Sequence, residues 1–259
     1  MVLLVRHGLT ALTGPVLAGW TPGVHLDDRG RAQVAALAAR LRDLPLAAVI
    51  SSPLERCRET AQLILAGRDG TSSHVDERFG EVHYGDWTGE KLETLAKDPL
   101  WPVVQAHPSG VRFPGEGGES MSAAQHRAVS AVRDWNARLG GDATYLVCSH
   151  GDIIKAIVAD ALGLHLDQFQ RIQAAPASLS VIRYTGLRPF VVRTNDVGGG
   201  IDGLLPPPAA ESESGAGNDA GKRAGNGAVE PAGKAAGEAA ETGSRHTGGD
   251  GDAPVGGGA

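Results

Sequence analysis

Two histidine–glycine pairs, each reached through an apolar run, are the residues whose types and spacing invite chemistry. Leu3-Leu4-Val5 delivers Arg6 and His7 into Gly8, and far downstream Tyr145-Leu146-Val147-Cys148-Ser149 delivers His150 into Gly151. One His-Gly is ordinary turn chemistry, whereas two at matching ends of apolar runs, one with an arginine beside it, form a pattern. A third apolar run, 46–50, leads through Ser51-Ser52-Pro53-Leu54-Glu55 to Arg56. Glu81 lies in a mixed stretch with His83, Tyr84, Asp86 and Trp87, and Asp76 and Glu77 stand close enough that residue type alone does not single it out. Two histidines, two arginines and a carboxylic acid suit a phosphomonoester. Catalysis on a phosphoryl group is mainly positioning and charge stabilisation, and arginine forks match its oxygens. An imidazole is a competent nucleophile near neutral pH, and a carboxylic acid can protonate the leaving alkoxide.

Rival chemistries fail on spacing. A cysteine-dependent phosphatase needs an arginine six positions after its cysteine, and those positions hold Leu63 and Ile154. The nine histidines are scattered, with no His-x-His or His-Glu-x-x-His, so no metal and no other cofactor is expected. A binding module that holds a phospholigand without turning it over stays open; such a module has no use for a nucleophile at His7.

The elements that must position these residues follow from periodicity. The runs at 3–5, 46–50 and 144–149 predict buried strands. Asp27-Asp28 suits a helix cap, and Val34, Leu37, Ala38 and Leu41 carry a helix over about 28–43. Ser52 as cap with Pro53 at the first helical position predicts a second helix over about 54–66. Helices are also predicted over about 119–139 and 152–162, and a closing pair of strands near 178–184 and 189–194. Alternating strands and helices predict an α/β fold, a three-layer α/β/α sandwich with a mostly parallel central sheet. In such sheets ligands sit beyond the carboxyl ends of the strands, where both His-Gly pairs fall. The proline- and glycine-rich stretch 98–118 predicts a long connection that, with 9–25, walls the pocket.

Composition changes after residue 200. Residues 201–259 contain no Phe, Trp or Tyr and 15 of the 37 glycines, with 4 basic against 9 acidic residues. Such a segment buries too little apolar surface to offset the entropy of ordering it, so it is predicted to be a disordered tail behind a single domain, 1–200. That domain, with 20 basic and 21 acidic residues, offers no basic face for nucleic acid. No apolar run approaches the roughly 20 residues of a membrane span. Two cysteines make no disulfide framework, and a reduced, cytoplasmic setting is the simplest expectation. The oligomeric state is not legible.

The motifs Arg6-His7-Gly8, Ser51-Ser52-Pro53-Leu54-Glu55-Arg56 with Thr60, Glu81, and Ser149-His150-Gly151 together resemble the histidine phosphatase superfamily, also called phosphoglycerate-mutase-like, over about residues 2–194. The resemblance implies a phosphohistidine on His7, phosphate held by Arg6, Arg56 and His150, Glu81 as proton donor, and further substrate contacts from Thr10, Thr13 and Gly151. Leu9 departs from the polar residue, and Thr13 from the asparagine, often found at those positions. Tyr84-Gly85-Asp86-Trp87-Thr88-Gly89 resembles the phosphatase branch, and no long basic insert of the glycolytic mutases follows Glu81. A hydrolase of a small phosphorylated metabolite is therefore expected, with a mutase as the alternative.

Overall fold

A computed structural model describes residues 1–199 of the chain; the expected tail, 201–259, and the domain boundary before it lie outside the described residues. The order of elements is β1 (Val2–Arg6), α1 (Asp28–Leu41), β2 (Ala48–Ser51), α2 (Glu55–Leu65), β3 (Ser72–Val75), α3 (Leu92–Leu95), α4 (Trp101–Ala106), α5 (Met121–Leu139), β4 (Tyr145–Ser149), α6 (Gly151–Leu162), β5 (Leu179–Tyr184) and β6 (Pro189–Asp196), with short 3-10 turns between. The six strands form one sheet in the order β3-β2-β4-β1-β5-β6. β1, β2, β3 and β4 run parallel, while β5 is antiparallel to β1 and to β6.

Strand alternation sorts the core into two layers. Val2 and Leu4 of β1, with Tyr145 and Val147 of β4, pack against α5 and α6. Leu3 and Val5, with Leu146 and Cys148, face α1 and α2 on the other side. A strand buried on both faces needs no polar alternation, which is why β1 and β4 read as unbroken apolar runs. α6 is buried nearly all round and is correspondingly apolar.

Several boundaries differ from expectation. β3, Ser-Ser-His-Val at the sheet edge, is largely exposed and carries no apolar period, so only its pairing with β2 reveals it. Pro53 is not in the second helix. α2 starts at Glu55 behind Leu54, with no side-chain cap, and Ser52 Oγ accepts from the Leu54 amide at 3.3 Å just ahead of the helix. The stretch 98–118 is not a pocket wall. It contains α4 and sends Val104, Val111 and Phe113 into the core on the α5/α6 side, the Arg112–Ser120 bridge closing its base.

Candidate active site

Sheet register brings the two His-Gly pairs together. β1 and β4 are adjacent and parallel with Arg6 opposite Ser149, so the next residues, His7 and His150, leave the sheet side by side. Their ring centroids are 5.3 Å apart, edge to face. β2 flanks β4 and the chain beyond it brings Arg56 into the first turn of α2. Its Nε donates to His7 Nε2 at 3.2 Å, and its Nη2 donates to the Gly19 carbonyl at 2.7 Å and reaches His150 Nδ1 at 3.3 Å. Arg6 is buried too and donates from Nη1 to the Ala174 carbonyl at 2.7 Å.

The imidazole of His7 is presented in one tautomer. Its Nδ1 lies 2.8 Å from the Gly8 carbonyl, an acceptor only, so Nδ1 carries the proton and Nε2 keeps its lone pair. Burial first, then the Arg56 and Arg6 guanidiniums, hold His7 well below the usual imidazole range. It is therefore neutral and nucleophilic near pH 7. His150 is held down by the same causes, burial first and Arg56 next. Its Nε2 sits 2.7 Å from Ser52 Oγ.

Glu81 arrives on a clamped segment. Ser149 Oγ donates to the Phe79 carbonyl at 2.7 Å, while Trp20 Nε1 and Arg127 Nη2 both donate to the Glu81 carbonyl, at 2.6 and 2.9 Å. Gly80 permits this approach, since a Cβ there would run into the Trp20 ring. Burial first, then the Asp152 carboxylate, push the Glu81 carboxyl up to about 7, the range a general acid needs at neutral pH.

Arg6, His7, Arg56 and Glu81 line one cavity with Thr10 and Thr13, whose hydroxyls lie 2.9 Å apart. Its remaining wall is Leu12, Val16, Leu17, Ala18, Gly19 and Tyr84. Apart from Tyr84 the wall thus comes from 10–19, within the expected 9–25, and none of it from 98–118. His150 is wholly inaccessible and meets the cavity through Arg56 and His7; Gly151 opens α6 behind it. Arg56 Nη1 is buried without a hydrogen-bond partner among the described residues. A buried cationic donor left unsatisfied beside a second arginine fits an oxyanion. Cys57 adjoins His150 and Ser149, but burial pushes its thiol up to about 12, so it supplies no thiolate. Among the described residues no three His, Cys, Asp or Glu side chains cluster as metal ligands, and no helix is long and apolar enough to cross a membrane.

Three participants escaped sequence reasoning. Trp20 and Arg127 act through donors to backbone, which leave no motif. Asp152 in the first turn of α6 reads from sequence as an ordinary partner of the helix dipole, yet it is buried and accepts from the Tyr84 hydroxyl at 2.7 Å. His83, which sequence leaves as a neighbour of Glu81, stacks on Trp20 at 4.4 Å.

Comparison with known proteins gives a matching picture. The chain is 31% identical over 176 residues to glucosyl-3-phosphoglycerate phosphatase of Mycolicibacterium vanbaalenii, covering 65% of this chain and 76% of that one. It is 32% identical over 182 residues to the probable phosphoglycerate mutase GpmB of Erwinia tasmaniensis, covering 69% and 82%. The solved structure of YhfR from Bacillus stearothermophilus aligns with a TM-score of 0.67 at 29% identity, over 76% of this chain and 97% of that one. The model of the histidine phosphatase superfamily (branch 1) matches residues 2–197, a span that contains the whole sheet and every residue of the cavity, and the chain belongs to that superfamily.

Proposed function

We propose that this protein hydrolyses a small phosphomonoester through a phosphohistidine on His7. The observation that carries the reading is the His7 imidazole itself: neutral, fixed by Gly8 in the tautomer that frees Nε2, and aimed at the Arg56 guanidinium where a phosphoryl oxygen would lie. Arg6 and Arg56 hold the dianionic phosphate, Arg56 exchanging its bond to His7 for one to the substrate. Thr10 and Thr13 offer hydroxyls at the rim, and His150, behind Arg56, accepts from its Nη2 and orients the fork.

In the first step the Nε2 lone pair attacks phosphorus, the P–O ester bond breaks, and the departing alkoxide takes the proton of Glu81. In the second, a water gives a proton to the Glu81 carboxylate as its oxygen attacks the phosphohistidine. The P–N bond breaks, its electron pair returns to Nε2, and inorganic phosphate leaves. Glu81 ends with its proton restored, so the cycle needs no other acid.

Beyond the phosphate donors and Glu81 the cavity wall is Leu12, Val16, Leu17, Ala18, Gly19 and Tyr84. A mutase acting on phosphoglycerate must hold a second anionic group in place, and this wall offers it no cation. That favours water as acceptor and an uncharged group next to the ester oxygen, over the mutase activity carried in the name of the Erwinia relative. The phosphatase name of the Mycolicibacterium relative agrees with hydrolysis of a small phosphorylated metabolite.

Rapid mixing with a 32P-labelled aryl phosphate tests the nucleophile. The expected result is a transient protein-bound label that acid removes and alkali spares, lost in His7→Ala together with turnover. An acid-stable label, or turnover surviving in His7→Ala, overturns the reading.

A further inference from the structure

A buried ion pair stands directly behind the cavity and has no part in the steps above. Asp152 follows His150-Gly151 in the first turn of α6, and Lys155 lies one turn on with Nζ 3.4 Å from Asp152 Oδ1. Both side chains are almost wholly inaccessible, at 0% and 2% exposure. Lys155 Nζ also lies 2.5 Å from Gln170 Oε1 and 4.5 Å over the Phe169 ring. A buried pair of this kind is costly to desolvate and often adds no stability over apolar residues of the same size, so packing alone does not account for it. Its link to the cavity is Tyr84, which lines the wall next to Glu81 and donates its hydroxyl to Asp152 Oδ2.

We propose that Asp152 and Lys155 are positioning residues whose opposed buried charges set the pH at which Glu81 releases its proton. The inference rests on the reading of Glu81 as the acid. The charged and titratable groups facing Glu81 come from every element around it: Arg6 from β1 and His7 just beyond it, Arg56 and Cys57 from α2, Tyr84 from its own segment, Asp152 and Lys155 from α6, and Arg127 of α5 on its carbonyl. The arginines favour the ionised carboxylate, which a leaving-group acid must not be. Asp152 opposes them, and among these groups it is the carboxylate that does so. Burial and this repulsion together keep the proton on Glu81 at neutral pH. Lys155 limits the effect from the far side of Asp152. Burial and the two carboxylates also keep Tyr84 protonated, so it spaces the pair from the acid as a neutral donor.

The opposed charges make a signed prediction. In kcat/KM for phenyl phosphate, which reports the free enzyme up to loss of the leaving group, the alkaline limb marks deprotonation of Glu81. Asp152→Asn keeps an oxygen for the Tyr84 hydroxyl but removes the charge, and the limb moves to lower pH by about one unit. Lys155→Gln moves it to higher pH. A role confined to packing or to holding Arg6 lowers the plateau and leaves the limb in place in both variants, which overturns the proposal. Glu81→Gln separates the two claims: loss of the limb in that variant supports Glu81 as the acid, and persistence of the limb overturns that reading. Because activity in that case no longer follows Glu81, its carboxyl is also titrated directly by 13C NMR in glutamate-labelled protein. A titration unmoved by Asp152→Asn and Lys155→Gln sinks the ion-pair proposal by itself, and opposite displacements sustain it.

Discussion

His7 has its reactivity fixed by two contacts: the Gly8 carbonyl takes the Nδ1 proton, and Arg56 approaches the free Nε2. The second contact is temporary in the proposed cycle, so Arg56 is worth more in the transition state, when phosphoryl charge has replaced the imidazole as its partner. Arg56→Ala should therefore raise the barrier in kcat by about 2–4 kcal/mol, read from initial rates at saturating phenyl phosphate. A rise in KM with kcat unchanged contradicts that role. Arg56→Lys should recover little, because one ammonium cannot reach His7, Gly19 and His150 together as the fork does. At this scale residue type and position pointed to Arg6, His7, Arg56 and His150, and only the family resemblance singled out Glu81 among the neighbouring acids. The sequence did not show the tautomer of His7, Ser52 as the partner of His150, or the place of Asp152 beside the acid. Each of these depends on what lies across a tertiary contact.

The strand ends do their positioning through one close approach. The chain leaving β1 passes over the start of α1, and two glycines make room. A Cβ on Gly8 would come within 2.6 Å of the Gly30 carbonyl, and one on Gly30 within 2.7 Å of the Leu9 amide. Gly30→Ala should push the Gly8–Leu9 segment away and carry His7 with it. The expected outcome is a stability loss of about 1–3 kcal/mol in urea unfolding and a fall in kcat of about 100-fold, since an ångström of displacement at a nucleophile costs that much. Gly67→Ala is the matched control. It strains a positive φ of 75° after α2 with nothing within 4 Å of the added carbon, so it should cost about 1 kcal/mol of stability and leave kcat alone. Equal loss of kcat in both would remove the positioning role from Gly30. Elements buried on both faces, β1, β4 and α6, were legible because burial leaves a continuous apolar signal. β3 was not, because an exposed edge strand takes its definition from its partner, and α4 was hidden because prolines and glycines flank six helical residues in 98–118.

For the described residues as a unit, the carboxyl proposed as the acid works against stability at high pH. Glu81 titrates at about 7 in the folded protein and near 4.3 in an unfolded chain. Below about pH 4 both states hold the proton and the group is neutral in the balance. Between the two values the folded state keeps a proton that the unfolded state has released, so stability falls as pH rises, and above pH 7 the loss levels off at about 4 kcal/mol. His7 and His150 act with the opposite sign. Both are held well below their unfolded value of about 6.5, so the stability they contribute is complete above that pH and is lost as pH falls below it. Glu81→Gln removes the first of these and leaves the second. At pH 8 the variant should melt about 7–15 °C above wild type, while at pH 4 the two melting temperatures should converge, with both proteins weakened by the histidines. The measurement is calorimetric melting in phosphate-free buffer at both pH values, because phosphate bound between Arg6 and Arg56 would itself stabilise the folded state. A variant no more stable than wild type at pH 8 means that Glu81 is not held protonated by its surroundings. Convergence at pH 4 with a gain at pH 8 assigns the cost to this one carboxyl, separating it from any general effect of the substitution on packing.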